Sequence, residues 1–177
     1  MNADERPLRV GNMSGFYGDR ISAMREMLEG GELDVLTGDY LAELTMLILG
    51  RDRMRSPELG YAKTFLRQLE DCLALALQNK VTIVANAGGL NPAGLADAIR
   101  EIGARQGLDV KVAHVEGDDL IDRIGELDLP ADAGTPVTAN AYLGAFGTAR
   151  CLDAGADVVV TGRVTDAPVI VGPAISH

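Results

Sequence analysis

The chain has 177 residues, 47% of them hydrophobic, and a formal net charge of −10. A chain of this length and composition can bury a sizeable core, which excludes a largely disordered protein. Its excess of acidic groups repels phosphate backbones and anionic lipid headgroups, so we expect no nucleic-acid partner and no role at a membrane surface.

The sequence contains no membrane or export signal that we can identify. No apolar run approaches the ~20 residues that a membrane span needs, and the charged N-terminus has no apolar signal core behind it. We therefore expect a cytoplasmic protein. Cys72 and Cys151 fall on the apolar sides of helical patterns, as reduced, buried thiols do. Without paired cysteines or clustered histidines, the sequence predicts no zinc site.

Short β-branched runs alternate along the chain with longer stretches of helical period. We predict strands at about residues 8–13, 34–37, 81–86, 109–115 and 157–161. Helical repeats run from Tyr61 to Ala76, over 95–102 and over 142–152. This alternation is typical of an α/β fold with a parallel sheet. We predict a three-layer, doubly wound (Rossmann-like) sheet, and part of a TIM-like barrel is the alternative.

Turn signals mark several boundaries of these units. Glycine followed closely by Asp-Val recurs at 31–35, 107–110 and 155–158, where it predicts the passage from a helix to a strand. Asn91 and Pro92 predict an N-cap and a first helical residue. The stretch 126–138 is predicted as a loop over the domain. Residues 170–177 show no closing helix, so we predict one domain over 1–177 that is the N-terminal part of a longer protein.

Polar residues follow each predicted strand, and in open parallel sheets ligands bind beyond the carboxyl ends of the strands. We therefore expect these loops to meet at one rim that takes a small anionic substrate. The acid-base candidates are Asp39, Glu116 and Asp166. The candidates for substrate binding are Asn12, Ser14, Gly15, Gly18, Thr37, Gly38, Asn86, Gly88, Gly89, Thr161, Gly162, Arg163 and Thr165.

The first loop has glycines at 11, 15 and 18, and we expect a helix to start near Asp19. Amides at such a helix start suit a phosphate or carboxylate. The spacing matches neither the dinucleotide-binding nor the phosphate-loop pattern, so an ordinary tight turn is an equal alternative.

Arg163 is the strongest single candidate for binding an anionic substrate. Its guanidinium could hold a carboxylate or phosphate through two parallel hydrogen bonds, while a carboxylate with a raised pKa could act as base. The alternative is a salt bridge between Arg163 and Asp166 that stiffens the turn. His114 lies inside a predicted strand, and we expect it to be packed rather than catalytic. Carboxylates at the strand ends could also hold Mg²⁺ beside an anionic substrate.

Asp39 lies where a dinucleotide-binding fold holds ribose hydroxyls, and this position resembles short-chain dehydrogenases. Those enzymes need a Tyr-x-x-x-Lys pair. The residues four positions after the tyrosines at 17, 40, 61 and 142 are Ile21, Leu44, Phe65 and Phe146. A nucleotide-dependent oxidoreductase is therefore only a third hypothesis.

Three segments, 37–45, 86–92 and 139–166, resemble the acyclic terpene utilisation family, and the similarity extends from about Val10 to Pro173. The third segment adds Asn140 to the candidates for substrate binding. Members of that family are longer than this chain. They are encoded with enzymes that degrade citronellol, geraniol and related branched acids through coenzyme A thioesters.

The resemblance implies a role near branched acyl-CoA catabolism. We expect an enzyme with lyase- or hydratase-type acid-base chemistry that acts on a carboxylated or CoA-linked metabolite. A non-catalytic subunit that binds an acyl-CoA or another enzyme is the alternative. We expect a homo-oligomer and assign no cofactor, although a coenzyme A thioester could be the substrate.

Overall fold

One sheet of five parallel strands forms the centre of the computed structural model, which describes residues 6–130 and 134–177. The strands are β1 (Val10–Asn12), β2 (Val35–Gly38), β3 (Thr82–Ala85), β4 (Val112–Val115) and β5 (Val158–Thr161). Each lies inside its predicted range, except that β2 runs one residue further. Valine, isoleucine and threonine dominate these strands, because β-branched side chains suit a pleated surface.

The strand order is β1-β2-β3-β5-β4. After β3 the chain passes over one strand position to form β4, and β5 then returns to pair with both β3 and β4. Because β1 and β4 lie at the two edges, the sheet is open and is not a closed barrel. The prediction of an α/β fold with a parallel sheet is confirmed.

Helices connect the strands. They are α1 (Ala23–Glu29), α2 (Glu43–Arg55), α3 (Lys63–Gln78), α4 (Pro92–Gln106), α5 (Phe146–Asp153) and α6 (Pro168–Ser176), and a 3₁₀ helix covers Ile121–Glu126. None of the helices in 6–130 and 134–177 is both long and apolar enough to cross a membrane.

Alternate strand residues pack on opposite layers of helices. Leu36, Ile83 and Val158 share one core with α1, α3 and α4. Their neighbours Val35 and Val84 lie in a second core, with side chains of α5 and α6. The helices change sides because the chain reverses direction across the sheet at β5, and crossovers between parallel strands keep one hand. The result is three layers.

Two predicted helix boundaries are found as expected. The Asn91 side chain accepts a hydrogen bond from the Gly94 amide at 2.9 Å, and Pro92 is the first residue of α4. At the other end of α4, Gly107 takes the left-handed conformation with φ +68°. These boundaries could be predicted from the sequence because each capping residue interacts with residues only a few positions away in the chain.

Three predicted boundaries are wrong. Residues 168–176 form α6, although we predicted no closing helix. Pro168 suits the first helical position, where its nitrogen needs no hydrogen bond. Gly172 and Pro173 disfavour a helix, but Gly172 packs against Thr148 of α5, and this packing outweighs their low helix propensity. Helix α1 begins at Ala23 rather than near Asp19, and α5 begins at Phe146, so Tyr142 lies outside it.

The predicted loop over 126–138 includes residues 131–133, which lie outside the described residues. Glu126 is the last residue of the 3₁₀ helix, and residues 127–130 and 134–138 contain no helix or strand. The expectation of one domain over 1–177 that is part of a longer protein stays a prediction.

Candidate functional site

Asn86 joins the loops that follow β2 and β3. Its side chain is buried, with 1% of the residue exposed. The Asn86 side-chain oxygen accepts a hydrogen bond from the Tyr40 amide at 2.7 Å, and its Nδ2 donates to Asp39 Oδ1 at 2.5 Å. Two predicted site residues, Asp39 and Asn86, are therefore in contact, and Asp39 remains half-buried.

Tyr40, which is buried, fixes the position of the Asp39–Asn86 pair. Its hydroxyl donates to the side-chain oxygen of Gln68, and the Gln68 amide nitrogen donates to the Arg20 carbonyl at 3.1 Å. The Tyr40 ring meets Phe65 edge to face, with centroids 5.5 Å apart. Burial raises the pKa of the Tyr40 hydroxyl. Gln68 was missed in the sequence, although a glutamine on the apolar stripe of α3 was a usable signal.

Asp118 is the central carboxylate of the loop after β4, and only 2% of it is exposed. Its Oδ2 accepts hydrogen bonds from the Arg163 amide at 2.7 Å and from the Asn140 side chain at 2.9 Å. An added Cβ at Gly162 would lie 2.2 Å from Asp118 Oδ1, so glycine there allows the carboxylate to approach.

The sequence pointed to a different acid of the same loop. Glu116 is exposed, and its side-chain partner is His114, at 3.3 Å. Asp119 pairs with Arg53 at 2.6 Å. Which acid of the loop turns inward depends on the path of the chain through Gly117, whose φ is +112°. Composition does not reveal that path.

Burial raises the pKa of the Asp118 carboxyl, against the opposing hydrogen bonds from the Arg163 amide and Asn140. Between an unfolded-state pKa of about 4 and the raised folded-state pKa, the folded protein binds more protons than the unfolded one. The contribution of Asp118 to the free energy of unfolding therefore falls as pH rises through that window.

We expect this pH dependence to disappear in Asp118→Asn. The free energy of unfolding of the variant minus that of the parent should increase as pH rises above about 4, until Asp118 is ionised in the folded parent. Urea unfolding of both proteins over this range measures the difference and cancels the other carboxylates. A difference that stays flat or decreases would contradict the burial-raised pKa.

Arg163 is buried between the segment before α2 and the segment before α5. Its Nη1 donates to the Leu41 carbonyl at 2.6 Å, and its Nη2 donates to the Tyr142 hydroxyl at 2.7 Å. The guanidinium carbon lies 4.3 Å from the centre of the Tyr142 ring. Glu43 Oε1 is 3.6 Å from Nη2, so the ion-pair partner is Glu43, and the predicted salt bridge to Asp166 is wrong.

Two cavities open at this end of the sheet. The first has a volume of about 170 Å³ and is lined by Glu43, Met46, Thr138, Asn140, Tyr142 and Arg163. The second, of about 420 Å³, is lined by residues 89–90, Pro92 and 116–119. Asn140 and Arg163, both predicted for substrate binding, thus line the same cavity. Asp118, which lines the second cavity, contacts both of them.

The first loop is held by its own contacts. The Gly15 amide donates to Asp19 Oδ2 at 3.2 Å, and the buried Ser14 hydroxyl donates to the Phe16 carbonyl at 2.8 Å. Hydrogen bonds from the Gly15 and Arg20 amides lower the pKa of Asp19. The Gly15 amide, which we expected to face a ligand, is therefore hydrogen-bonded to the Asp19 carboxylate. These contacts fit the interpretation of the loop as an ordinary tight turn.

Other predicted residues of β1 and β2 contact one another. The Thr37 hydroxyl lies 3.0 Å from both the Gly11 carbonyl and Asn12 Oδ1, and the Asn12 side chain donates to the Ser14 carbonyl at 3.0 Å. Gly18 is exposed. The structure does not bring these residues into contact with Arg163.

The predicted glycines after the strands lie against protein atoms. A Cβ at Gly38 would be 2.6 Å from the Tyr40 ring, and one at Gly88 would be 2.6 Å from the Thr161 carbonyl. Gly89 has φ +55° and lies against Leu49 and the Gly60 carbonyl. These glycines allow close packing of the loops.

The last predicted residues differ in burial. Thr161 is fully buried, and its hydroxyl donates to the Gly162 carbonyl at 3.0 Å. Thr165 and Asp166 are exposed. No group of three or more His, Cys, Asp or Glu side chains within 6–130 and 134–177 is placed to hold a metal ion.

The polar loops meet where the strand order reverses, between β3 and β5. That is the position at which open α/β sheets bind ligands, so the fold and the buried polar groups define an α/β protein with a polar site at its strand ends. The model of the family described as acyclic terpene utilisation family protein AtuA matches residues 8–177. The chain belongs to this family. No curated protein and no solved structure matches it.

Proposed function

We propose that this chain is an enzyme of acyclic terpene catabolism that acts on a branched carboxylate or its coenzyme A thioester. The observation that carries the proposal is the buried guanidinium of Arg163, which lines a cavity together with Asn140. Family membership supports the metabolic setting, since the matched family is named for acyclic terpene utilisation. A cytoplasmic location and a homo-oligomer remain parts of the proposal.

In this proposal Arg163 binds the oxygens of the substrate carboxylate or the carbonyl oxygen of a thioester. A base removes a proton from the carbon next to the carbonyl, and the electron pair of the broken C–H bond moves toward the carbonyl oxygen. The guanidinium stabilises the negative charge that develops there. This is the step shared by lyase- and hydratase-type reactions on such acids.

We assign the proton-transfer roles to Asp118 and Asp39. Burial favours the protonated form of Asp118, so this carboxyl can hold and return a proton closer to neutral pH than a free aspartate. Asn140 and Asn86 orient the two carboxylates through hydrogen bonds. Glu116 and Asp166 are exposed, and we place them at the rim without a proton-transfer role.

The second candidate is a subunit that binds the acid without converting it. The observation in its favour is that Arg163 already has two protein acceptors, the Leu41 carbonyl and the Tyr142 hydroxyl. These two hydrogen bonds hold the guanidinium in one position, where it can bind a carboxylate. Binding alone requires no acid-base pair.

Incubation of the full chain with citronellate and with its coenzyme A thioester separates the two candidates. We expect a product, detected by mass spectrometry, that forms more slowly with Asp118→Asn but at the parent rate with Asp109→Asn. Asp109 is exposed and makes the matched control. Binding of either compound without product would favour the subunit, and an unchanged rate with Asp118→Asn would remove Asp118 from the reaction.

A further inference from the structure

Glu43 is an exposed carboxylate beside the buried guanidinium of Arg163. It is the first residue of α2, and its side chain is 85% exposed, whereas that of Arg163 is 7% exposed. Its Oε1 lies 3.6 Å from Arg163 Nη2 and accepts a hydrogen bond from the Tyr142 hydroxyl at 3.0 Å. A carboxylate of the chain thus lines the same cavity as Arg163.

The contacts of Arg163 divide into fixed and exchangeable ones. The Leu41 carbonyl and the Tyr142 hydroxyl are neutral acceptors, at 2.6 and 2.7 Å. Glu43 is the one acidic side chain in the described ranges that forms an ion pair with Arg163. Because Glu43 is exposed, water screens this pair and Glu43 can leave it at low cost. The charge of Arg163 remains in place, since its side chain is buried.

A ligand carboxylate would meet Glu43 in this cavity. The cavity of about 170 Å³ has Glu43, Tyr142 and Arg163 on its wall, so an acid that binds to the Arg163 guanidinium there places its carboxylate beside that of Glu43. Two negative groups so close together also repel each other. Binding of an acid is therefore coupled to the departure of Glu43.

We propose that Glu43 occupies the position of the ligand carboxylate beside Arg163 and is displaced when an acid binds. This inference rests on the proposed function, because it assumes that Arg163 binds the substrate's carboxylate. It sharpens that function by naming the preferred ligand. A free carboxylate can replace Glu43 charge for charge, whereas an uncharged alcohol of the same shape cannot.

The test is calorimetric titration of the full chain with 3-methylbutanoate and with uncharged 3-methylbutanol. Glu43→Gln should bind 3-methylbutanoate about two- to fivefold more tightly than the parent, which is the range expected for removing a competing exposed ion pair. The parent should bind the acid in preference to the alcohol. Glu101→Gln, an exposed site on α4 that changes the net charge equally, should match the parent.

Two failures can be told apart. If Arg163→Ala weakens binding of 3-methylbutanoate but Glu43→Gln binds it like Glu101→Gln or more weakly, the displacement of Glu43 is overturned and the acid site stands. If the acid binds to none of the variants, or binds equally with and without Arg163, both the displacement and the proposed function are overturned.

Discussion

Replacement of Arg163 by alanine is expected to weaken the binding of 3-methylbutanoate by about 10- to 100-fold, the effect of losing a charge-assisted hydrogen bond. The guanidinium lines the cavity and is held by Leu41 and Tyr142, so it meets a ligand without first being ordered. Arg163→Lys should lose part of the affinity, because lysine keeps the charge but lacks the planar pair of donors. Calorimetric titration measures both variants.

The matched control is Arg100→Ala. Arg100 lies on α4, where it is exposed and pairs with Asp97 at 2.6 Å. It changes the net charge by the same amount as Arg163→Ala but leaves the strand ends intact. Thermal unfolding of each variant confirms that the titrated protein is folded. An equal loss of affinity in both variants would show that general charge, rather than Arg163, governs binding.

Replacement of Gly88 by alanine is expected to lower the free energy of unfolding by about 2–3 kcal/mol, as overpacking of a tight contact does. The added Cβ would lie 2.6 Å from the Thr161 carbonyl and 2.8 Å from Pro92 Cα, so backbone on two sides would have to move. The Gly88 amide also donates to the Thr161 carbonyl at 3.0 Å. Urea unfolding measures the loss, which should be accompanied by weaker binding of the acid.

Gly31→Ala provides the comparison. No atom lies within 4 Å of a Cβ added at Gly31, and this glycine does not need a left-handed conformation. Alanine there should leave stability unchanged or raise it slightly, because it restricts the unfolded chain. If Gly88→Ala proved as stable as Gly31→Ala, the close contact between the loops after β3 and β5 would be disproved.

The strands, the start and end of α4 and the family could be predicted from the sequence. Each depends on residues close together in the chain: β-branched runs for the strands, Asn91 and Pro92 for a helix start, and Gly107 for a helix end. The polar residues after each strand were also visible, because a parallel sheet brings all carboxyl ends to one edge.

The partners within the site could not be predicted in the same way. Arg163 pairs with Glu43 and Tyr142, which come from distant parts of the chain, while the nearby Asp166 remains exposed. The short spacing in the sequence had suggested a salt bridge between Arg163 and Asp166 instead. Helix α6 was missed for a related reason, since Gly172 and Pro173 break an isolated helix but fit one packed against α5.

The buried acid of the β4 loop needed the three-dimensional path of the chain. Glu116 and Asp118 differ by two positions in the same acidic loop, yet only Asp118 is buried against Arg163 and Asn140. Gly117 lies between these two acids and has φ +112°, a conformation that favours glycine.

A crystal structure of the full chain with bound 3-methylbutanoate tests most directly whether the carboxyl ends of the strands form an acid-binding site centred on Arg163. We expect the ligand carboxylate within hydrogen-bond distance of the Arg163 guanidinium, with the Glu43 side chain turned away from it. A ligand bound instead in the cavity of about 370 Å³ at the opposite end of the sheet, lined by Asp34, Asp157 and His177 among others, would contradict it.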